Sequence, residues 1–364
     1  MRKKVSFRNF DKFLFLTPIL IFLIGILSIY SASFKSSQSF DQTLAMKQIL
    51  WMAIGSLGVF LVVRVDYFKL KDLVWPAYFL ALLFLVLVLF MPARLGAHRW
   101  IPLGSFNFQP SEFAKLGVIL ALSHFFANNR IEFISKRKML IPFIVVGVPF
   151  LLVLKEPDLG TGLLMIPVFF AMLYVWGFKP KTIFLMVLLG AIASPFLFHF
   201  LKDYQKARLL VFINPNLDPL GAGYTIIQSK IAIGSGELLG KGFMGGTQNQ
   251  LNFLPERHTD FIFAVIGEEG GFLAALSVIV LFWLIVKKGF IICGETLERF
   301  GSMLACGIST MLGTQAIINI GMTMGFLPVV GIPLPLVSYG GTSVVVTMLS
   351  IGLLLNIKMH RPLF

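Results

Sequence analysis

The 364-residue chain is 57% hydrophobic and only 13% charged, with apolar runs too long for the core of a soluble domain, so it reads as an all-α polytopic membrane protein. A net charge of +14 comes without any nucleic-acid motif, which excludes nucleic acid as a partner and leaves anionic lipid as the counterpart of the basic residues. Cys293 and Cys306 fall in a cytoplasmic loop and in a span, so neither a disulfide nor a metal pair is indicated and both read as inert.

Ten spans are predicted, over about 13–32, 45–63, 73–91, 111–127, 139–154, 160–177, 182–201, 260–286, 303–324 and 340–357. An even number puts both termini on one side. With that side inward, nineteen of the 31 basic residues fall on inner segments, six lie in the single long loop from Lys202 to Thr259 and six fall elsewhere. Long loops translocate regardless of charge, so the short loops decide: the termini are expected in the cytoplasm and the 202–259 loop outside. The chain is expected to be one transmembrane domain over 1–364, with no internal repeat or second domain.

Ahead of the first span, Phe7 and Phe10 interleave with Arg2, Lys3, Lys4 and Arg8 as an interfacial anchor. The apolar run that follows is about twenty residues, longer than the core of a secretory signal. An uncleaved span is therefore expected despite the small residues Ser31-Ala32-Ser33.

The outer loop after the third span reads RLGAHRWIPLGSFNFQPSEFAK, where Trp100, Phe106 and Phe108 suit the headgroup zone and Pro110-Ser111 opens the fourth span. Glu112 and Lys115 then share one helix face, and each alone would cost up to about 2.5–3.5 kcal/mol at mid-membrane. They are either a self-neutralising pair or a substrate-facing lysine held by a glutamate. The next outer turn, Lys155-Glu156-Pro157-Asp158, caps the sixth span, but capping does not explain why three charges cluster in so short a connection. Asp158 is therefore a site candidate as well as a cap.

In the long outer loop, TIIQSKIAIGSG at 225–236 has the period of an amphipathic helix lying on the outer surface. The Gly-rich run that follows, which contains Lys241, reads as a flexible lid whose amides could approach a pyrophosphate. Glu256, His258 and Asp260 alternate, so an extended chain would aim all three one way, as a divalent cation would need; the alternative is a helix start capped by Thr259 or Asp260. Counting back from Lys287-Lys288 along a straight span puts Asp260 about 10 Å beyond the hydrocarbon edge, at headgroup level. Glu268 and Glu269 sit near that edge as functional or packing glutamates, and His124 and His199 as structural residues. Before the last span, FLPVVGIPLPLVSYGGTS cannot stay helical through Pro328, Pro333 and Pro335, and reads as a re-entrant or cavity-lining loop.

Taken together, EPDLGTG at 156–162, NPNLDPLGAGY at 214–224, GTQNQLNFLPERHTDFIFAVIGEE at 246–269 and LPLVSYGGTS at 334–343 resemble the SEDS proteins, the membrane glycosyltransferases of bacterial cell-wall synthesis. The resemblance covers essentially the whole chain. Arg257 in PERHTD and the GTQNQL lead-in are similar to its elongation branch, RodA, more than to its division branch, FtsW. What the resemblance implies is polymerisation of lipid II into undecaprenyl-linked glycan at the outer face of the inner membrane, with inversion and release of undecaprenyl pyrophosphate. It implies Asp260 as the catalytic carboxylate, with Glu112, Lys115, Asp158 and Arg208 as polar site positions. Lys241, Glu256 and His258 are further substrate-binding candidates from the residues around that motif. A divalent cation, Mg2+ or Mn2+, is a candidate cofactor with Asp260 as a candidate ligand, and no organic cofactor is expected. A class B penicillin-binding protein and the elongation machinery are the expected partners. A lipid II flippase and a non-catalytic scaffold are the competing functions, and each explains the clustered outer acids less well.

Overall fold

The computed structural model describes residues 11–33, 43–92, 98–104, 106–135, 137–199, 201–219 and 221–360. The expected N-terminal anchor around Phe7 and Phe10 lies outside these residues. Every predicted span is met by a helix: α1 (Lys12–Ser33), α2 (Thr43–Arg64), α3 (Leu70–Val88), α4 (Pro110–Asn128), α5 (Ile141–Lys155), α6 (Leu159–Trp176), α7 (Pro180–Phe198), α11 (Ile262–Glu295), α12 (Arg299–Thr323) and α13 (Gly341–Met359). Eight of them are long and apolar enough to cross a membrane by themselves. The other two are α7, apolar over Pro180–Phe196, and α4, whose apolar run is interrupted by Glu112 and Lys115.

Large apolar side chains remain exposed along α1, α2, α3, α7 and the second half of α11, as lipid-facing helices require, while α12 and α13 are mostly enclosed. Inside this bundle polar side chains act as braces. Gln48 on α2 donates to Ser338 O (2.9 Å) and accepts from Gly340 N (3.2 Å), and Asn356 on α13 donates to Val65 O (2.6 Å). In hydrocarbon such bonds replace the water that the backbone would otherwise need.

Between α3 and α4 a two-stranded hairpin, β1 (Ile101–Leu103) and β2 (Phe106–Phe108), pairs antiparallel. The long segment after α7 holds α8 (Asp203–Ile213), α9 (Ala222–Ser235) and the single-turn α10 (Thr247–Gln250). The expected amphipathic helix is α9: it buries Ile226, Ser229 and Ala232, with Ser229 donating to Thr323 O at the end of α12 (2.7 Å), and leaves Lys230 and Ile231 exposed. Cys293 is corrected. It lies within α11 rather than in a loop, and its thiol meets that of Cys306 on α12.

The main departure from the expected spans is in α11, which is broken. Gly271 takes φ 65° and ψ −164°, a region essentially confined to glycine, and divides a buried half-helix, Ile262–Gly270, from the long membrane half. The Gly-rich run is not a free lid. It crosses the break, so that Phe272 N and Leu273 N donate to Glu237 O (2.8 Å) and Leu238 O (3.3 Å), while Lys241 N and Gly242 N donate to Glu268 O and Glu269 O (both 3.0 Å). The straight-helix count that set Asp260 at headgroup level therefore does not hold, because half of the helix leaves the axis at Gly271.

A Cβ at Gly271 would sit 2.7 Å from the Leu238 carbonyl and strike Gly240 N. Gly271→Ala should lower the thermal stability of the purified protein by roughly 3 kcal/mol or more, or prevent accumulation. Gly234→Ala in the helical α9, where an added Cβ meets nothing within 4 Å, should be neutral or stabilising by up to about 1 kcal/mol.

Candidate active site

Asp260 lies in the turn that leads into the half-helix of α11. Three neighbours fix that turn: Asn319 Nδ2 donates to Asp260 O (3.0 Å) and to Ile332 O (2.7 Å), Ser338 Oγ donates to Thr259 O (2.6 Å), and Tyr339 N donates to His258 O (2.9 Å). One of these acceptors, Ile332 O, and both donors at 338–339 belong to the expected re-entrant loop. Ile332, Leu334, Leu336 and Val337 are buried there, so the loop enters the protein as its prolines suggested. Gly331 (φ 71°) packs against the carboxylate: a Cβ at that position would lie 3.3 Å from Asp260 Oδ2. A side chain there would crowd the acid.

The Asp260 carboxyl keeps partial contact with solvent, yet its pKa is pushed up to about 6. Burial is the main cause and the charge of Glu256 the next; Arg208 and Arg99 pull the other way, and Asp158 adds a further push upward. Two acids and two guanidinium groups thus act on one carboxylate.

Arg208 projects from α8 and donates to Val329 O (3.4 Å), and Arg99, just ahead of β1, donates to Pro157 O. Both line a cavity of about 630 Å3 between α6, α7, α8 and the 328–330 segment, whose remaining walls include Leu159, Leu163, Pro195, Phe198 and Leu209. The cavity is apolar apart from these cations, Ser194 and Gln205.

Asp158 caps α6 and is fully engaged. It accepts from Thr161 N (3.3 Å), Thr161 Oγ1 (2.8 Å), Ser111 Oγ (3.3 Å) and Gln109 Nε2 (3.3 Å). The residue is the cap of α6, and its charge also acts on Asp260 as the smallest of the influences on that acid. Glu156, two residues earlier, is buried with neither carboxyl oxygen hydrogen-bonded among the described residues. Its pKa is raised to about 9, by burial first and by Asp158 second, against a smaller opposing effect of Arg99.

The other candidates fall elsewhere or into different roles. Glu112 and Lys115 pair at 2.8 Å with only 3% of each side chain exposed, one turn into α4 from Ser111, which is the self-neutralising arrangement. The Lys241 ammonium is held by Glu268 (2.8 Å) and Thr247 (2.8 Å). Glu268 also accepts from Gln248 N (2.9 Å) and Asn249 N (3.2 Å) at the start of α10, and Glu269 accepts from Ser31 Oγ (2.5 Å) and Asn249 Nδ2 (2.8 Å). These glutamates and Lys241 hold the crossing loop in place.

The extended 256–260 geometry is not adopted. Glu256 has φ 49°, Thr259 N and Phe261 N fold back onto Glu256 O, and Glu256 Oε2 accepts from Thr259 Oγ1 (3.0 Å). Burial lowers the His258 pKa, and no group of three His, Cys, Asp or Glu residues that could hold a metal occurs among the described residues.

Sequence reasoning passed over Arg99 and took Glu156 only as part of a charge cluster. For Arg99 the available signal was a cation in an aromatic-rich outer loop, hidden beside Trp100, which reads as an interfacial residue.

Breaking the Glu112–Lys115 pair on one side leaves a buried charge. Lys115→Ala should cost about 3–5 kcal/mol in thermal or denaturant unfolding, whereas Glu112→Gln with Lys115→Met should recover most of that loss. A single variant as stable as the parent would show that the pair is not closed in the membrane.

The cell cycle protein family FtsW/RodA/SpoVE matches residues 11–362. The chain is 40% identical over 355 residues to the peptidoglycan glycosyltransferase MrdB of Escherichia coli K12, covering 96% of this chain and 95% of that protein. Among solved structures it is similar to a chain of a peptidoglycan synthase complex that coordinates polymerization and crosslinking, with TM-score 0.81, 31% identity and coverage of 96% and 97%. It is also similar to the Rod shape determining protein RodA of Thermus thermophilus, with TM-score 0.72, 27% identity and 97% coverage of each chain.

Proposed function

The chain belongs to the FtsW, RodA and SpoVE family of cell cycle proteins, and from that membership we infer a peptidoglycan glycosyltransferase that polymerises lipid II during cell elongation. The observation that carries the chemistry is Asp260: a carboxyl titrating near 6, within reach of two arginines that line an apolar cavity of about 630 Å3.

Glycan extension with inversion joins the acceptor hydroxyl oxygen to the donor anomeric carbon and breaks the bond from that carbon to the pyrophosphate. The hydroxyl proton needs a base, and the departing oxygen needs positive charge. Asp260 is the base; a pKa near 6 leaves it mostly ionised at neutral pH while basic enough to accept a proton. Arg208 and Arg99 face the pyrophosphate, and the cavity walls take the first part of the prenyl tail. Asp158 holds its own turn and raises the basicity of Asp260 through its charge.

If a divalent cation accompanies the pyrophosphate, Asp260 is the side chain that would hold it, and the ion would supply positive charge to the leaving group. The described residues are mostly helical, and likeness to a chain of a synthase complex that coordinates polymerization and crosslinking supports a class B penicillin-binding protein as the crosslinking partner.

With Asp260 as base, activity should rise with pH through about 6 and fall roughly tenfold per unit below it. Asp260→Asn, nearly isosteric, should keep its thermal stability and lose about 100- to 10,000-fold in lipid II polymerisation by the purified chain. Near-parental polymerisation by that variant would remove Asp260 from the chemistry.

The basic-residue distribution supports an external 202–259 loop. A cysteine introduced at Gly242 should react with an impermeant thiol reagent in intact cells. Reaction only after permeabilisation would reverse the orientation.

A further inference from the structure

Glu156 and Arg99 are neighbours in the same wall of the site, and each is left incomplete. Glu156 closes α5 in the turn before α6; it is fully buried, and neither carboxyl oxygen is hydrogen-bonded among the described residues. Arg99 spends one Nη on the Pro157 carbonyl, in that same turn, while its buried Nε has no partner among the described residues. Arg99 and Pro157 both line the cavity. The Arg99 charge acts on Glu156, yet the two form no ion pair among the described residues.

We propose that Glu156 is a positioning residue for Arg99: while protonated it leaves the guanidinium to the anionic head of a lipid pyrophosphate in the cavity, and when ionised it draws the guanidinium into an ion pair. This inference rests on the glycosyltransferase reading above and names how that site takes its donor.

The charges facing Glu156 are those of Asp158, from the N-cap of α6, and Arg99, from the segment before β1. Asp158 disfavours a second negative charge two residues away, and so does the absence of water, so the acid is neutral through the physiological range and ionises at about 9. Asp158 cannot take the place of Glu156 as partner to Arg99, because Thr161, Ser111 and Gln109 already occupy its oxygens. The two unpaired acids of the site therefore part company. Asp260 is ionised at neutral pH and Glu156 is not, so net negative charge near the pyrophosphate is limited to what the arginines can offset.

The test is binding of undecaprenyl pyrophosphate to the full-length protein in lipid nanodiscs, measured between pH 7.5 and 10 for the parent, Glu156→Gln and Arg99→Ala. The parent should hold its affinity up to about pH 9 and lose it by up to about tenfold per unit beyond. Glu156→Gln, which cannot ionise, should bind as tightly as the parent at pH 7.5 and stay within about twofold across the range. Arg99→Ala should bind at least about tenfold more weakly at pH 7.5 and show no step near 9. A step of parental size in Glu156→Gln overturns the proposal, as does a flat parental profile. If the parent fails to bind undecaprenyl pyrophosphate while still polymerising lipid II, the proposal alone falls; failure of both overturns the glycosyltransferase reading beneath it.

Discussion

A helix that breaks within a membrane must hand its freed backbone groups to protein, because lipid can accept none of them. At Gly271 the 237–242 segment meets that demand. Its carbonyls receive the amides beyond the break, and its amides return to the carbonyls before it. Once that crossing is made, much else is determined. Glu268 and Glu269, the last acids before the break, turn outward to cap α10 and to bond Ser31 and Asn249. Asn249 O and Ala32 O in turn receive the buried guanidinium of Arg257. Arg257 stands three residues before Asp260, so the far end of the half-helix and the approach to its near end are tied to the same framework. Anchoring the turn of Asp260 to a broken helix rather than to a free loop tip gives that carboxylate a rigid position.

Within that framework the acids are told apart by their surroundings. Asp158 has a full set of donors, Asp260 keeps a share of solvent and two cations within reach, and Glu156 has neither donors nor solvent. Carboxyl groups in three environments give a saturated cap, a group raised toward neutrality and a neutral acid. Glu112 belongs to a fourth class. Its lysine, one turn on, cancels its charge in a dry place, where the pair holds together because breaking it would strand an ion.

The long apolar runs made the span count legible, and all ten positions carry helices because a period-free stretch of that length has no other way to satisfy its backbone in lipid. The re-entrant loop was legible too, since three prolines and two adjacent glycines leave no helix to form. Asp158 and Arg208, marked as site candidates, both lie close enough for their charges to act on Asp260. What could not be read was long-range pairing. Lys241 looked like a free cation in a glycine run because its partner, Glu268, stands 27 residues away. The break in α11 escaped because Gly270-Gly271 within an apolar run signals packing as readily as a kink, and only the incoming 237–242 strand decides between them. Alternation at 256, 258 and 260 suggested an extended chain, but Pro255 and the turn onto Glu256 O overrode it. A period of two over five residues is a weak signal beside local turn chemistry.

The re-entrant loop explains how the apolar cavity and Asp260 are held next to each other. Pro328, Val329 and Val330 form part of the cavity wall, Gly331 abuts Asp260 Oδ2, and the carbonyl of Ile332 shares the amide of Asn319 with the carbonyl of Asp260. Five consecutive residues therefore run from the surface that would hold a prenyl chain to the group that would take the proton. Arg208 bonds the carbonyl of Val329 in the middle of the same run. Because the carbonyls of Val329 and Ile332 are held from α8 and α12, the short covalent run between them fixes the separation between cavity wall and carboxylate. A substrate seated by its tail then brings its pyrophosphate to the arginines and its anomeric carbon toward the base with little further search, which is the part of the barrier that positioning alone can remove.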